Sequence, residues 1–123
     1  MAKTKNIVVW LVQVTVSLLF FSVSIQKLIS TDEVVANFKH WEMPDHFYLV
    51  IGTFELLGAI GLLIPRSAGM AALGLMFIMA GAIYTHIIHD PAMMLILPSV
   101  TLVLLAFIAY TRNPMAIFAD NAR

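Results

Sequence analysis

Four stretches of this chain are apolar almost without interruption: residues 7–29, 47–64, 67–88 and 92–111. Each is close to the roughly 20 residues that a helix needs to cross about 30 Å of hydrocarbon. They lack the alternation of strands, and isolated short spans cannot close a barrel, so the pattern predicts helices. Breakers separate them. Pro44 precedes the second run, Pro65-Arg66 follows it, Asp90-Pro91 precedes the fourth and Asn113-Pro114 follows it. The expected fold is all-α: a single transmembrane domain, residues 1–123, built as a four-helix bundle. Pro98 lies within the fourth run and is expected to kink it.

The connection of residues 30–45 carries a pattern of its own. Ser30 stands three residues before Glu33, as in a capping box. Val34, Val35, Phe38 and Trp41 then recur at helical spacing until Pro44. This predicts a short amphipathic helix on the outer membrane surface, with Trp41 at the headgroup level. A loop whose apolar residues pack on the bundle is the alternative.

Polar residues inside the apolar runs are the candidates for chemistry. Glu55 sits about nine residues from either end of its run, near the bilayer midplane. An ionisable group there costs roughly 2.5–3.5 kcal/mol on insertion scales, so it must face the bundle interior or a wet cavity. Gly58, on nearly the same face, would let a neighbouring helix approach beside the carboxyl. In the first run Gln13, Ser17, Ser24 and Lys27 share one helical stripe, expected to face inward. Lys27 lies near the outer end, where snorkelling to the headgroups is the plain alternative. His86 ends the third run beside Tyr84, and a wetted interfacial histidine is again the plain reading. Depth counting places Lys27 and His86 roughly 10–15 Å above Glu55, which leaves a direct Lys27–Glu55 pair open. Ser24 and Gln26, a ligand head or water would fill any gap, in an outward-opening polar cavity floored by Glu55.

Composition sharpens the class. Of 123 residues 61% are hydrophobic and 11% charged, with a mean hydropathy of +0.94. Soluble domains run near 45–50% apolar and about 25% charged. This chain holds more apolar surface than a globule of its size can hide. Cysteine is absent, which excludes disulfides, thiolate metal sites and Cys-based redox relays. A net charge of zero gives no reason to expect a nucleic-acid partner.

The distribution of charge sets an orientation. Lys3, Lys5, Arg66, Arg112 and Arg123 fall on one side of a four-span map, while Asp32, Glu33, Lys39, Glu42, Asp45 and Asp90 fall on the other. The positive-inside rule then puts both termini in the cytoplasm. Lys3 and Lys5 before an apolar run also resemble a signal peptide, and Ser22-Val23-Ser24 loosely fits a cleavage site. The run of about 18 residues is longer than the usual 7–15, so it is read as a retained span.

All four histidines, His40, His46, His86 and His89, fall on the outer side. Imidazole suits Zn, Cu and Ni, so a metal site is a weak alternative, without a diagnostic spacing. The eight methionines read as bundle filler.

Several motifs together resemble a known family. Lys27-Leu28 ends the first run and Pro44 precedes the second. The segment "GTFELLGAIGLLIPR" fits G-x-x-E-x-x-G-x-x-x-L-x-x-P, and "AALGLMFIMAGAIYTH" fits a third span ending in Ala, a small residue and His. From about residue 10 to residue 112 the chain resembles the DoxX-like family of small four-helix membrane proteins. That resemblance implies kinship with the membrane subunit of a thiosulfate:quinone oxidoreductase, with bacterial redox and oxidative-stress complexes, and more distantly with an animal chaperone for nicotinic receptors. Lys27, Glu55 and His86 match the polar positions of the family pattern.

Three functional readings follow. In the first the chain is a binding or accessory protein of the bacterial cytoplasmic membrane. It holds a quinone or lipid by Lys27, Glu55, His86, Ser24, Gln26 and Tyr84, or serves as the membrane subunit of a redox partner protein. In the second it is an assembly factor or scaffold, with Glu55 and Lys27 as interhelical glue. In the third Glu55 serves an enzyme or proton-coupled carrier. No intrinsic cofactor is expected, the chain is not expected to be an enzyme on its own, and a homo-oligomer stays open.

Overall fold

The computed structural model describes residues 2–118, and among them it is helical without strands. Helix α1 spans Ala2–Leu28, α2 Asp32–His40, α3 Phe47–Leu62, α4 Pro65–His89 and α5 Ile96–Arg112. Short 3₁₀ turns at Ala92–Leu95 and Pro114–Phe118 precede and follow α5. Arg123, counted above among the inner charges, lies outside the described residues.

Three segments, Lys3–Leu28, Pro65–His89 and Ala92–Arg112, are long and apolar enough to cross a membrane. Helix α3 is apolar but only 16 residues long, about 24 Å, shorter than a standard span. Large apolar side chains point outward from all four, among them Leu18, Phe54, Phe77 and Val103, each more than half exposed. A soluble surface rarely carries so much contiguous apolar area, and here lipid is the solvent for it.

The helices run up and down in chain order. Helix α1 packs on α3, α3 on α4 and α4 on α5, while the α1–α5 seam is sparse. Glycines set the close approaches. A Cβ on Gly58 would lie 2.6 Å from Leu75 Cδ2, and one on Gly61 2.9 Å from Ala71 Cβ, so α3 and α4 touch almost backbone to side chain.

Helix α2 starts one residue later and ends several residues earlier than the sequence pattern predicts. Ser30 does not cap it. Ser30 adopts φ 55°, and the Ser30 and Thr31 amides donate to Lys27 and Gln26 carbonyls at 3.1 and 3.2 Å. That is a Schellman motif closing α1, with serine where glycine is usual. Thr31 is the N-cap of α2, its hydroxyl accepting from the Val34 amide at 3.3 Å. A second Schellman turn at Glu42, φ 58°, ends α2 before Pro44 is reached. Pro98 also departs from expectation. The 3₁₀ turn separates it from the preceding chain, and it falls in the first turn of α5, where a missing amide proton costs nothing.

Buried apolar residues form two clusters. The larger joins Val16, Phe20, Leu62, Leu75, Leu105 and Ile108 in the half of the bundle that holds the α3–α4 turn. The smaller seats Val34 and Phe38 of α2 on Tyr48 of α3 at the opposite end. The apolar face of α2 therefore docks on the bundle rather than lying free.

Candidate functional site

Between the two apolar clusters the packing leaves a cavity of about 510 Å³, within the usual range for small-molecule sites. All five helices contribute to its wall. Lys27 and Gln26 come from α1, Glu55 from α3, Tyr84 and His86 from α4, and Pro98 from α5, with Phe38 and Trp41 of α2 closing one end. Most of the lining is apolar. Gln26, Tyr84 and Leu97 are exposed and mark the rim.

Lys27 Nζ lies 2.9 Å from Glu55 Oε1, with side-chain exposures of 15% and 3%. The atoms are at ion-pair distance without the angles of a hydrogen bond. Depth counting places Lys27 about 10–15 Å above Glu55, and Gly52 explains why the two are closer. A Cβ there would meet Lys27 Cβ at 2.8 Å, so the lysine backbone sits level with Gly52. Gly52 is three residues, about 4.5 Å, from Glu55, well inside the reach of lysine's four-carbon stem. Lys27 is held inside and does not snorkel.

The stripe on α1 is buried as expected, with Gln13, Ser17 and Ser24 all at 0% exposure. Its members do different things. Ser17 Oγ donates to the Ala59 carbonyl and Gln13 Nε2 to the Leu62 carbonyl, both at 2.7 Å. Arg112 completes this far end. Its Nε donates to Gln13 Oε1 at 2.6 Å and its guanidinium lies over the Trp10 ring. These groups join α1, α3 and α5 away from the cavity. Ser24, expected at the ligand site, is not in the cavity wall, and its hydroxyl donates to its own Phe21 carbonyl at 3.0 Å.

His86 is held by Asp90, which the sequence pattern offers as a breaker and an outer charge but not as a partner. Asp90 Oδ2 accepts from His86 Nδ1 at 2.7 Å and from Trp41 Nε1 at 2.8 Å, and Oδ1 accepts from His40 Nε2 at 3.2 Å. One carboxylate thus ties the end of α4 to the end of α2. Its partial burial disfavours charge, but the hydrogen bonds from His86 and Trp41 and the nearby His86 and His40 charges outweigh this. The Asp90 carboxyl is held below the ordinary carboxylate range. A carboxylate only accepts, so Nδ1 of His86 carries the proton and Nε2 is the acceptor in the neutral ring. Trp41 stands edge-on to His86 with centroids 5.4 Å apart. The signal for this cluster was the i, i+4 spacing of His86 and Asp90, hidden by the Asp-Pro breaker reading.

His40 and His86 meet on the Asp90 carboxylate, but the four histidines do not gather around a common point for a metal. His40 faces His89 at 6.1 Å between ring centroids, His46 lies against Tyr48, and His86 is committed to Asp90. Among the described residues no group of three His, Cys, Asp or Glu side chains is placed to hold a metal ion.

Comparison with known proteins adds a family and nothing finer. No curated protein and no solved structure matches the chain. The model of the DoxX-like family matches residues 11–108, most of the chain and every helix that lines the cavity. With its apolar helices and its buried Lys27–Glu55 pair, the chain is an integral membrane protein and belongs to the DoxX-like family.

Proposed function

We propose that this protein binds a small amphipathic molecule, a quinone or a lipid, in the cavity between α1, α3, α4 and α5. The observation that supports the reading is a mostly apolar cavity of about 510 Å³ whose lining includes Lys27, Glu55 and His86. Few precisely oriented polar groups in an apolar wall are what fixes the head of such a ligand while its tail meets hydrocarbon. In this reading α3 acts as a fourth, short span, tilted neighbours and local thinning absorbing its deficit. Both termini then face the cytoplasm of a bacterial cell, and α2 lies on the outer surface. The protein serves as a binding or accessory subunit beside a redox partner protein, because it brings no cysteine and no metal cluster among its described residues.

The test is native mass spectrometry on gently purified protein, followed by lipid extraction. A stoichiometric adduct, weakened in a Phe38→Trp variant whose larger ring narrows the cavity, is the expected result. Protein that is adduct-free under every extraction condition would return the assembly-factor reading to first place. One observation favours that second reading: the Lys27–Glu55 contact also joins α1 to α3.

A further inference from the structure

We infer that the ligand head in this cavity is uncharged and carries a hydroxyl group, which it donates to Nε2 of His86. The inference rests on the binding reading above and narrows its ligand class.

Charge balance is the first argument. Among the described residues Lys27 is the one permanently cationic side chain in the cavity wall, and Glu55 neutralises it at 2.9 Å; a charged His86 would be neutralised by Asp90 at 2.7 Å in the same way. Whether the proton sits on nitrogen or on oxygen, the Lys27–Glu55 pair sums to zero. The other acids nearby are Glu33, in the wall, and Asp90, behind His86. An anionic head would therefore enter a site with no cation to spare and two further negative charges around it. A cationic head would find the buried acids already occupied, Glu55 by Lys27 and Asp90 by three donors. Glu33, the other acid in the wall, is exposed and already hydrated, so either charge would lose its hydration without gaining an unshared buried partner.

The free hydrogen-bonding groups are the second argument. His86 lines the cavity with Nδ1 committed to Asp90, and among the described residues Nε2 has no partner. In the neutral ring its lone pair requires a donor, which an O–H supplies and an ester, ether or quinone carbonyl does not. The Lys27 ammonium has three N–H donors and a single carboxylate contact, so it keeps donors for the oxygen of the same head. A hydroxyl supplies both functions, a donor for His86 and an acceptor for Lys27.

Trp41 reports on the site. It lies in the cavity wall, and the only other tryptophan, Trp10, lies beside Arg112 at the far end of the bundle. The Trp10→Phe protein in phosphatidylcholine nanodiscs carries a single fluorophore at the cavity. Four probes share one brominated chain and differ in the head: a monoglyceride, its di-O-methyl ether, a sulfonate and a trimethylammonium. Saturable quenching, reversed by the unbrominated monoglyceride, measures occupancy. The monoglyceride should saturate at a concentration about tenfold below each of the others, a difference of about 1.4 kcal/mol. In a His86→Phe background the monoglyceride and its ether should become equal. Tighter binding of the sulfonate, the ammonium or the ether would overturn the inference and leave the binding reading standing. Absence of saturable quenching by every probe would overturn the binding reading itself.

Discussion

Lys27 and Glu55, 28 positions apart in the chain, meet at 2.9 Å in the bundle interior. The contact joins α1 to α3 and forms the charged part of the cavity wall. Losing one partner leaves the other without compensation. Glu55→Leu should destabilise the protein by up to about 3–5 kcal/mol, and Lys27→Met by a similar amount. Glu55→Gln keeps a hydrogen-bonding partner for Lys27 and should cost clearly less. Thermal unfolding in detergent separates these cases, and a Leu variant as stable as wild type would mean that nothing inside depends on the carboxyl.

Gly52 sets the height of Lys27. An added methyl would lie 2.8 Å from Lys27 Cβ, closer than carbon atoms tolerate. Gly52→Ala should cost about 1–3 kcal/mol by overpacking. Thermal unfolding should show less than additive losses in Gly52→Ala/Lys27→Met, because both changes act on one contact.

Trp41 fastens α2. Its indole N–H donates to an ionised carboxylate at 2.8 Å, a class of bond worth about 1.5–3 kcal/mol. Trp41→Phe keeps most of the ring and removes the donor. Hydrogen exchange should accelerate at residues 34–43 and stay unchanged in α3. Equal acceleration throughout would show that the substitution unfolds the bundle rather than releasing α2.

Asp90 gives this fastening a pH dependence. Its carboxyl is held below the ordinary range in the folded protein. A depressed carboxyl stabilises fully above its unfolded value, and the contribution is lost as pH falls through the folded one. Acidification through and below the ordinary carboxylate range should therefore loosen α2, seen as faster proteolysis within residues 30–46. Asp90→Asn should be looser at neutral pH and show little further change with acid. A wild-type rate that is flat across this range would exclude Asp90 as the tie.

The orientation is open to a direct measurement. Reporter fusions after residue 123 should score as cytoplasmic and insertions in residues 30–45 as external, given Lys3, Lys5, Arg66 and Arg112 at one end. A cytoplasmic signal from the 30–45 connection would reverse the map.

What the sequence determined by itself is the membrane class, the helical elements and the inward stripe of Gln13, Ser17, Ser24 and Lys27. Each follows from local rules: length against bilayer thickness, breakers between runs, and a 3.6-residue period. The burial of Glu55 was legible too, because an unpaired carboxylate cannot face lipid. Tertiary structure decided the rest. Serine at position 30 fits both a helix cap and a Schellman turn, and the backbone at φ 55° chose the second. The Lys27–Glu55 contact depended on how far α3 slides along α1, which Gly52 fixes by close approach and no single-helix count contains. Asp90 reads in sequence as half of an Asp-Pro breaker. Only the docking of α2 through Val34 and Phe38 brings Trp41 and His40 to its carboxylate, because contacts 49 and 50 residues apart arise from packing and leave no periodic trace in the chain.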